Sequence, residues 1–321
     1  MRAARALGHA CRAVNVVGWS RWAGPAAGRA VQSLVDRYAP DFVLLTRHAI
    51  LAGEASLRSL LRGRERAFWY FDLPLTEPVL ALGRLAERMY VTSVSRVDLF
   101  RGAGISSVAF LPQGVDPDRD IPSATTRAEF ECDASFVGSG QYPHRHAVLR
   151  AVAAVSRLQI RGAGWGPASA DLPVVGGPVH GPRLAQVIRG AAISLGANAL
   201  AEQDTARASA SNRMWKILGC GGFYLGPRVE DIDAFARDGR HCAWYRSPDD
   251  AAERARHYLA RPAERRRIAH AGHAHALTHH TYARRLELLL AGRAYELGGA
   301  SDERVIAELE HPNASQPLDH P

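Results

Sequence analysis

The sequence predicts an α/β fold in which two Rossmann-like domains face a common cleft. Helical and strand-like patterns alternate along the chain, which is typical of βαβ units around a parallel sheet. The length of 321 residues suits two domains better than one core. A polar, proline-containing stretch at 116–131 interrupts the alternation, and the pattern restarts after it, so we interpret this stretch as a linker.

The first domain, 1–125, shows four helix–strand repeats. A helix at 27–38 precedes the apolar strand YAPDFVLLT, which the chain enters through Pro40. The repeats that follow are helix 53–63 with strand 66–74, helix 77–87 with strand 88–94, and helix 95–102 with strand 107–117.

The opening segment, RAARALGHACRAVNVVG at 2–18, does not fit this scheme. It predicts a helix, a Gly-His turn and a strand, whereas a doubly wound domain normally opens with a strand and a glycine-rich loop. That opening unit is missing from the pattern. Two alternatives stay open: the start codon is assigned too late, or the domain lacks its first strand.

The second domain, 126–298, repeats the alternation, and the polar tail at 299–321 is predicted to be flexible. Its predicted strands lie in 132–140, which includes a glycine turn, and at 158–164, 191–198, 222–226 and 241–246. Its predicted helices are 144–156, 182–190, 212–220, 230–238, 248–260, 262–276 and 281–297.

Composition limits the class of protein. Hydrophobic residues make up 47% and charged residues 22% of the chain, as in soluble globular proteins. No apolar run reaches the ~18 residues that span a bilayer, and the start lacks the apolar core of a signal peptide. We expect a cytoplasmic protein, with peripheral contact to the inner face of the membrane left open. Four scattered cysteines, with no CxxC pair, are expected to be buried free thiols, with a reactive Cys220 as the alternative.

The formal charge of +8 comes almost entirely from arginine, because Lys216 is the single lysine. A basic surface attracts nucleotides, nucleic acid or anionic lipid. There is no run of five or six consecutive basic residues and no basic stripe interleaved with aromatic residues, so nucleic-acid binding is the weaker option.

The stretch SNRMWKILGCGGFYLG at 211–226 is the most specific candidate site. Ser211 or Asn212 can cap a short helix on which Arg213 and Lys216, three residues apart, share one face. An anion at the positive N-terminus of this helix would offset the repulsion between the two cations. Gly221 and Gly222 then turn the chain into a strand. The alternative is a solvated cationic face.

Two glycine turns follow other strands of the second domain. Gly138, Ser139 and Gly140 in SFVGSG bring backbone N–H groups close to a ligand above the sheet, and Arg145 follows at the next helix. In IRGAGW the turn holds Gly162, Gly164 and Trp165, whose ring could stack on a base or a sugar. Simple turns, an exposed helix arginine and a packing tryptophan are the structural alternatives.

The block from Phe136 to Leu290 resembles the donor domain of CgeB-like glycosyltransferases, which are similar to the family 4 retaining enzymes. The matching pieces are FVGSG with Arg145, IRGAGW, ISLGAN, SNRMWKILGCGGFYLG, DAFARDGRHCAWYRSPDDAAERARHYLARP and HHTYARRLELLL. The resemblance implies a GT-B fold with a nucleotide-sugar held mainly by the second domain. It also adds Asn198, in ISLGAN, to the expected donor-binding residues.

The resemblance implies transfer of a sugar from a nucleotide-sugar to an unknown acceptor (glycan, lipid-linked sugar, protein or small molecule), with retention and without a metal or cofactor. Arg213 and Lys216 would stabilise the departing diphosphate. Many family 4-type enzymes carry glutamate where this chain has Lys216, and a lysine cannot accept the hydrogen bonds of the donor ribose. A non-catalytic GT-B binding protein is therefore the main alternative, and a sugar-nucleotide epimerase is a further one.

Other polar residues are weaker candidates. Asp72 ends the strand-like WYFD segment and would contact the acceptor or act as its base, while the alternative is a turn aspartate. His48 follows the preceding strand and would face the same cleft. His275 and His279 have a zinc-like spacing, but no third ligand accompanies them.

Overall fold

The computed structural model describes residues 1–72, 74–198, 207 and 209–297. Within this part of the chain, ten strands form two separate sheets of four and six strands, and neighbouring strands are parallel throughout. This confirms the prediction of two α/β domains. The predicted tail, 299–321, lies outside the described residues.

The first sheet has the sequential order β1-β2-β3-β4. Its strands are β1 (Phe42–Leu45), β2 (Glu65–Tyr70), β3 (Arg88–Val91) and β4 (Val108–Phe110). The accompanying helices are α1 (Arg2–Ala6), α2 (Val16–Ala23), α3 (Ala27–Tyr38), α4 (Glu54–Leu60), α5 (Glu77–Leu85) and α6 (Val94–Gly102). Phe68 and Met89, which are partners in the β2–β3 register, are fully buried at the centre of this core.

The opening segment contains no strand. The predicted strand around 14–18 was wrong, because helix α2 begins there and Asn15 caps it with its side-chain oxygen, which accepts from the Gly18 amide at 3.0 Å. The whole stretch before Phe42 is described, and it is helical or irregular. In the described chain, the first domain therefore has no strand ahead of β1.

The second sheet has the order β7-β6-β5-β8-β9-β10, which is the Rossmann order 3-2-1-4-5-6. Its strands are β5 (Cys132–Val137), β6 (Leu158–Arg161), β7 (Val174–Gly176), β8 (Ala191–Leu195), β9 (Tyr224–Pro227) and β10 (Ala243–Tyr245). The direction of strand succession reverses between β5 and β8. Ligands of such sheets bind in the crevice at the carboxyl ends of these two strands.

Six of the seven helices predicted for the second domain are present, and the last of them ends at Leu290 instead of residue 297. They are α7 (His144–Ala153), α8 (Gly181–Gly190), α9 (Asn212–Gly219), α10 (Pro248–Leu259), α11 (Pro262–His279) and α12 (Tyr282–Leu290). The helix predicted at 230–238 is only a 3₁₀ turn at Ile232–Ala234, which follows Asp231 in the left-handed conformation. The short edge strand β7 was not predicted.

Helix α12 returns to the first domain. Leu286 and Leu289 pack into a cluster with Trp69 and Tyr90 of the first sheet, although the sequence-based boundaries place this helix in the second domain. The chain enters α12 beside the linker, where the amide of Val115 donates to His280 O at 2.8 Å. Among the described helices, none is long and apolar enough to cross a membrane.

Candidate functional site

The carboxyl ends of the two sheets face a shared cavity of about 720 Å³. The first domain lines it with Tyr70 at the end of β2, Asp72 after β2 and Thr92 after β3. The second domain contributes the 197–198 turn after β8 and the start of helix α9 at 211–213. This volume lies within the range of small-molecule sites, which in α/β proteins form where strand ends meet. We call it the interdomain cavity.

A second cavity, of about 440 Å³, lies within the second domain. Its lining includes residues 137–139 after β5, Gly162 after β6, the loop 178–180 and Lys216 on α9. Its lining surface is mainly apolar. We call it the inner cavity. Asn212 and Arg213 line both cavities and therefore stand at their junction.

Arg213 joins the two strands between which the strand order reverses. Its Nε donates to Val137 O after β5 at 2.8 Å, and its Nη1 donates to Ala197 O after β8 at 3.2 Å. The guanidinium carbon lies 4.5 Å from the centre of the Phe136 ring. The side chain is half-buried and lines both cavities, and among the described residues no hydrogen-bond acceptor pairs with Nη2.

Arg145, in the first turn of α7, makes the same connection from the other side. Its Nη1 donates to Ser139 O at 2.7 Å and its Nε to Asn198 O at 3.3 Å. It also approaches the Phe136 ring, at 5.7 Å. The side chain is buried and lines the interdomain cavity. The pair of cations at the switch between strands is thus Arg213 with Arg145, whereas the pair expected from the sequence was Arg213 with Lys216.

The two guanidinium groups make this junction electropositive. Burial, and to a smaller extent the charge of Arg213, lowers the pKa of Arg145 to about 10. Burial also lowers the pKa of Arg213. Both groups stay protonated at neutral pH, and among the described residues neither has a carboxylate partner. An anion placed between them would relieve their repulsion.

Two helix N-termini reinforce the positive potential. Helix α7 carries Arg145 and helix α9 carries Arg213, each at the second helical position. No side chain forms a capping hydrogen bond at either helix start. Ser211 occupies the N-cap position of α9, but its side chain does not accept from an amide of the first turn. The amides of Arg145, His146 and Met214 donate to the backbone carbonyls of Tyr142, Pro143 and Ser211. Among the described residues, the first-turn amides left to bind an anion are those of His144, Asn212 and Arg213.

The glycine turns allow this close packing. A Cβ at Gly138 would lie 2.5 Å from Nη2 of Arg213, and a Cβ at Gly162 would lie 1.8 Å from Gly138 O. Gly138, Ser139 and Gly162 line the inner cavity, whereas Gly140 and Gly164 do not. A Cβ at Gly140 would meet the Trp165 ring at 2.4 Å, so this glycine makes room for the tryptophan.

Trp165, Gly221 and Gly222 lie away from both cavities. Trp165 stacks on His146 with 5.7 Å between ring centres and meets Phe136 edge-on, so it packs beneath the 138–140 turn. Gly221 has a left-handed φ of 73° that ends α9, and a Cβ at Gly222 would lie 2.4 Å from Ile188. These three residues shape the site without lining it.

Lys216 lines the inner cavity on the same face of α9 as Arg213, as the spacing predicts. Its Nζ donates to Asp120 Oδ1 at 3.0 Å. Asp120 lies in the linker, outside any sequence motif, and was not among the predicted site residues. Asp120 and Lys216 are in contact because the linker crosses helix α9 in the tertiary structure.

Asp72 and His48 both line the interdomain cavity. Asp72 forms an ion pair with Arg47 at 2.7 Å in which both side chains are about half exposed. The pair lines the first-domain side of this cavity, and Arg145 and Arg213 line the second-domain side. Such an exposed pair contributes only about 0–1 kcal/mol to stability.

The four cysteines are free, and Cys220 lies in the core behind α9. Burial, and to a smaller extent the charge of Asp120, raises the pKa of the Cys220 thiol to about 12. The neutral thiol is therefore the stable form. This argues against a reactive Cys220.

His275 and His279 belong to a cluster of imidazoles away from both cavities. His275 stacks on His241 at 4.0 Å, and its Nε2 lies 3.2 Å from Nε2 of His280, whose Nδ1 accepts from the buried Arg285 at 2.8 Å. Among the described residues, no three histidine, cysteine or acidic side chains are grouped to hold a metal ion.

The cluster predicts acid sensitivity of the fold. Burial, and to a smaller extent the neighbouring His275, Arg240, Arg237 and His279, lowers the pKa of His241 to about 3. The unfolded chain binds this proton near pH 6.5, so the free energy of unfolding falls as the pH drops from about 6.5 towards 3.

We expect His241→Gln to make this pH dependence shallower, by up to about 1.4 kcal/mol per pH unit. Chemical denaturation at several values between pH 7.5 and 5 measures the slope. The control is His9→Gln, at an exposed position. Equal slopes in wild type and His241→Gln would contradict a neutral buried imidazole.

The chain is similar to known proteins both in sequence and in structure. Residues 145–291 match the family model described as glycosyl transferase-like. A search of curated proteins finds no matching sequence.

Several solved structures share the architecture at low sequence identity. HepE from Anabaena, in complex with UDP and glucose, is 13% identical, with 83% of this chain and 80% of HepE covered and a TM-score of 0.63. Sucrose-phosphate synthase from Thermosynechococcus elongatus is 12% identical over 88% of this chain and 78% of the enzyme, with a TM-score of 0.60. An alpha-glucosyltransferase in complex with UDP and DNA is 9% identical over 84% of this chain and 83% of the other, with a TM-score of 0.63.

These likenesses establish the fold. The chain has the GT-B architecture of two parallel-sheet domains that face a cleft, as the resemblance implied.

Proposed function

We propose that this GT-B protein is a glycosyltransferase that uses a nucleotide-sugar donor. The observation that carries the proposal is the pair of arginines at the junction of the two cavities, where Arg145 and Arg213 have no described carboxylate partner. The family match over 145–291 and the UDP-bound GT-B neighbours support the same conclusion.

The nucleoside, the diphosphate and the sugar of the donor are each assigned to a separate part of the site. The nucleoside occupies the mainly apolar inner cavity, between Gly162 and the loop at 178–180. The diphosphate lies between Arg145 and Arg213, at the N-termini of α7 and α9. The sugar projects into the interdomain cavity, where the first domain would present the acceptor.

Transfer breaks the bond between the anomeric carbon and the diphosphate oxygen and forms a bond from the acceptor oxygen to that carbon. Negative charge develops on the departing diphosphate. Arg213, Arg145 and the free first-turn amides of α7 and α9 border the position proposed for the diphosphate, so they can stabilise this charge in the transition state. Retention of anomeric configuration and the CgeB-like subgroup remain predictions from the resemblance.

Thermal protection tests the proposal first. We expect at least one of UDP, GDP, ADP and TDP to raise the Tm of the protein, because ligand binding to the folded state stabilises it. The matching nucleotide-sugars are then assayed for release of the nucleoside diphosphate. Protection without turnover for every sugar and acceptor would favour the alternative, a binding protein. Product formation from the donor alone, without acceptor or hydrolysis, would favour an epimerase.

We further propose that Asp72 contacts the acceptor hydroxyl and accepts its proton. Its position on the first-domain side of the interdomain cavity supports this role, and Arg47 holds it in place.

For Asp72→Asn we expect a 10²- to 10⁴-fold loss of transfer rate, the usual contribution of a general base. Donor binding should be unchanged and stability should shift by less than about 1 kcal/mol. Steady-state kinetics and nucleotide titration measure the two effects. Asp36→Asn, another exposed aspartate paired with an arginine of the first domain, is the matched control. Full activity of Asp72→Asn would exclude it as the base.

A further inference from the structure

Lys216 differs from the two arginines because it already has a carboxylate partner. Its Nζ lies 3.0 Å from Asp120 Oδ1, and the Asp120 side chain is only 6% exposed whereas that of Lys216 is 38% exposed. The ammonium group therefore faces the inner cavity with its charge compensated from behind.

The position of Asp120 is set by the linker and does not depend on Lys216. Its Oδ2 accepts from the amide of Asp116 at 3.0 Å, and its own amide donates to Asp116 O at 2.8 Å. The linker also packs closely on helix α9, since a Cβ at Gly219 would lie 2.8 Å from Asp120 Cβ. The carboxylate is thus a fixed part of the wall behind the inner cavity.

This arrangement is poorly suited to a phosphate. A phosphate bound to Lys216 would come close to the fixed charge of Asp120, whereas the site between Arg145 and Arg213 has no such repulsion from the described residues. Lys216 also lies three residues further along α9 than Arg213, which is about 4.5 Å along the helix axis and away from the positive N-terminus.

The same arrangement suits neutral hydroxyl groups. An ammonium group has three N–H donors, and Asp120 accepts one of them. The others are available to lone pairs in the cavity. Ser194 lines the same cavity, is 2% exposed, and has a buried Oγ without a hydrogen-bond partner among the described residues. A polar, uncharged ligand group would satisfy both residues.

We propose that Lys216 and Asp120 act as one neutral unit that recognises hydroxyl groups of the nucleoside sugar, and that Asp120 is the positioning residue that keeps Lys216 from serving as a phosphate ligand. This inference rests on the proposed function. It replaces the expectation that Lys216 stabilises the departing diphosphate together with Arg213.

The test uses whichever of UDP, GDP, ADP or TDP protects the wild type, together with its monophosphate and its 2′-deoxy and 3′-deoxy analogues. For TDP the analogues are the ribonucleotide and the 3′-deoxynucleotide. Isothermal titration measures the affinity of each ligand. Lys216→Met should weaken the binding of the diphosphate and of the monophosphate by the same factor, about 5- to 20-fold. It should also abolish the preference for the hydroxylated nucleotide over at least one deoxy analogue. Lys216→Gln, which keeps a donor but no charge, should bind the diphosphate within about threefold of wild type.

Asp120→Asn separates positioning from structural support. Loss of the compensating charge should free Lys216 for phosphate, so the affinity for the diphosphate relative to the monophosphate should rise about fivefold and become more sensitive to salt. Structural damage alone would weaken both ligands and leave their ratio unchanged. Arg189→Gln, on an exposed face of α8, is the control.

The outcomes are distinguishable. Lys216→Met could weaken diphosphate binding much more than monophosphate binding, or Lys216→Gln could bind the diphosphate as weakly as Lys216→Met does. In either case Lys216 is a phosphate ligand, and this inference fails while the proposed function stands. If Asp120→Asn leaves the diphosphate-to-monophosphate ratio unchanged, Asp120 has no positioning role. If no nucleoside diphosphate binds the wild type, the proposed function and this inference fall together.

Discussion

Replacement of Arg213 by methionine is expected to weaken nucleoside diphosphate binding by about 10- to 100-fold. Hydrogen bonds to charged groups contribute about 1.5–3 kcal/mol each, and 1.4 kcal/mol corresponds to a tenfold change in affinity. Methionine retains apolar contact with Phe136, but it loses the bonds to Val137 O and Ala197 O and the charge at the junction of the cavities.

The transfer rate should fall further than binding, by about 10²- to 10³-fold, because charge on the diphosphate grows in the transition state. Titration with the protective nucleotide measures binding, and initial rates with its sugar conjugate measure transfer. Arg189→Met is the matched control, because Arg189 is an exposed arginine of the same domain. Wild-type affinity in Arg213→Met would remove the observation on which the proposed function depends.

Replacement of Gly162 by alanine is expected to lower the free energy of unfolding by about 2–4 kcal/mol. Gly162 has a φ of 153°, which side-chain-bearing residues rarely adopt, and this alone costs about 1–3 kcal/mol. A Cβ there would also lie 1.8 Å from Gly138 O, so the two turns that line the inner cavity would have to separate. Overpacking of this kind adds about 1–3 kcal/mol.

Chemical denaturation and the Tm measure the effect of Gly162→Ala. The matched control is Gly166→Ala, four residues away, because Gly166 has a negative φ and no atom within 4 Å of an added Cβ. We expect that control to change the free energy of unfolding by less than about 0.5 kcal/mol. Equal stability of the two variants would show that the two turns are not in close contact.

Regular elements with strong local signals were predicted well. Helix α9 and the 138–140 turn follow from the polar residue at the N-cap position, Ser211, and from glycine spacing, which act within a few residues. The errors occur where local signals conflict. Val14, Val16 and Val17 favour a strand, but the Asn15 cap and packing against the first-domain core produce helix α2.

The candidate site was predicted in part. Arg213, Arg145 and Gly138 were identified and lie together, because each follows a strand or begins a helix in a parallel sheet. Trp165 has the same kind of sequence context, yet it packs beneath its turn. A strand-end position indicates which edge of the sheet a residue occupies, but it does not indicate whether the side chain points up into the cavity or down into the core.

By itself, the sequence determined the two α/β domains, the order of their main elements and the cationic helix start at Arg213, because these depend on periodicity, capping and short spacings. The tertiary structure alone decided the partner of Lys216 and the return of α12 to the first sheet. Asp120 and Lys216 are separated by 96 positions and meet only because the linker crosses α9. Contacts of this kind depend on the path of the whole chain, and no local pattern encodes them.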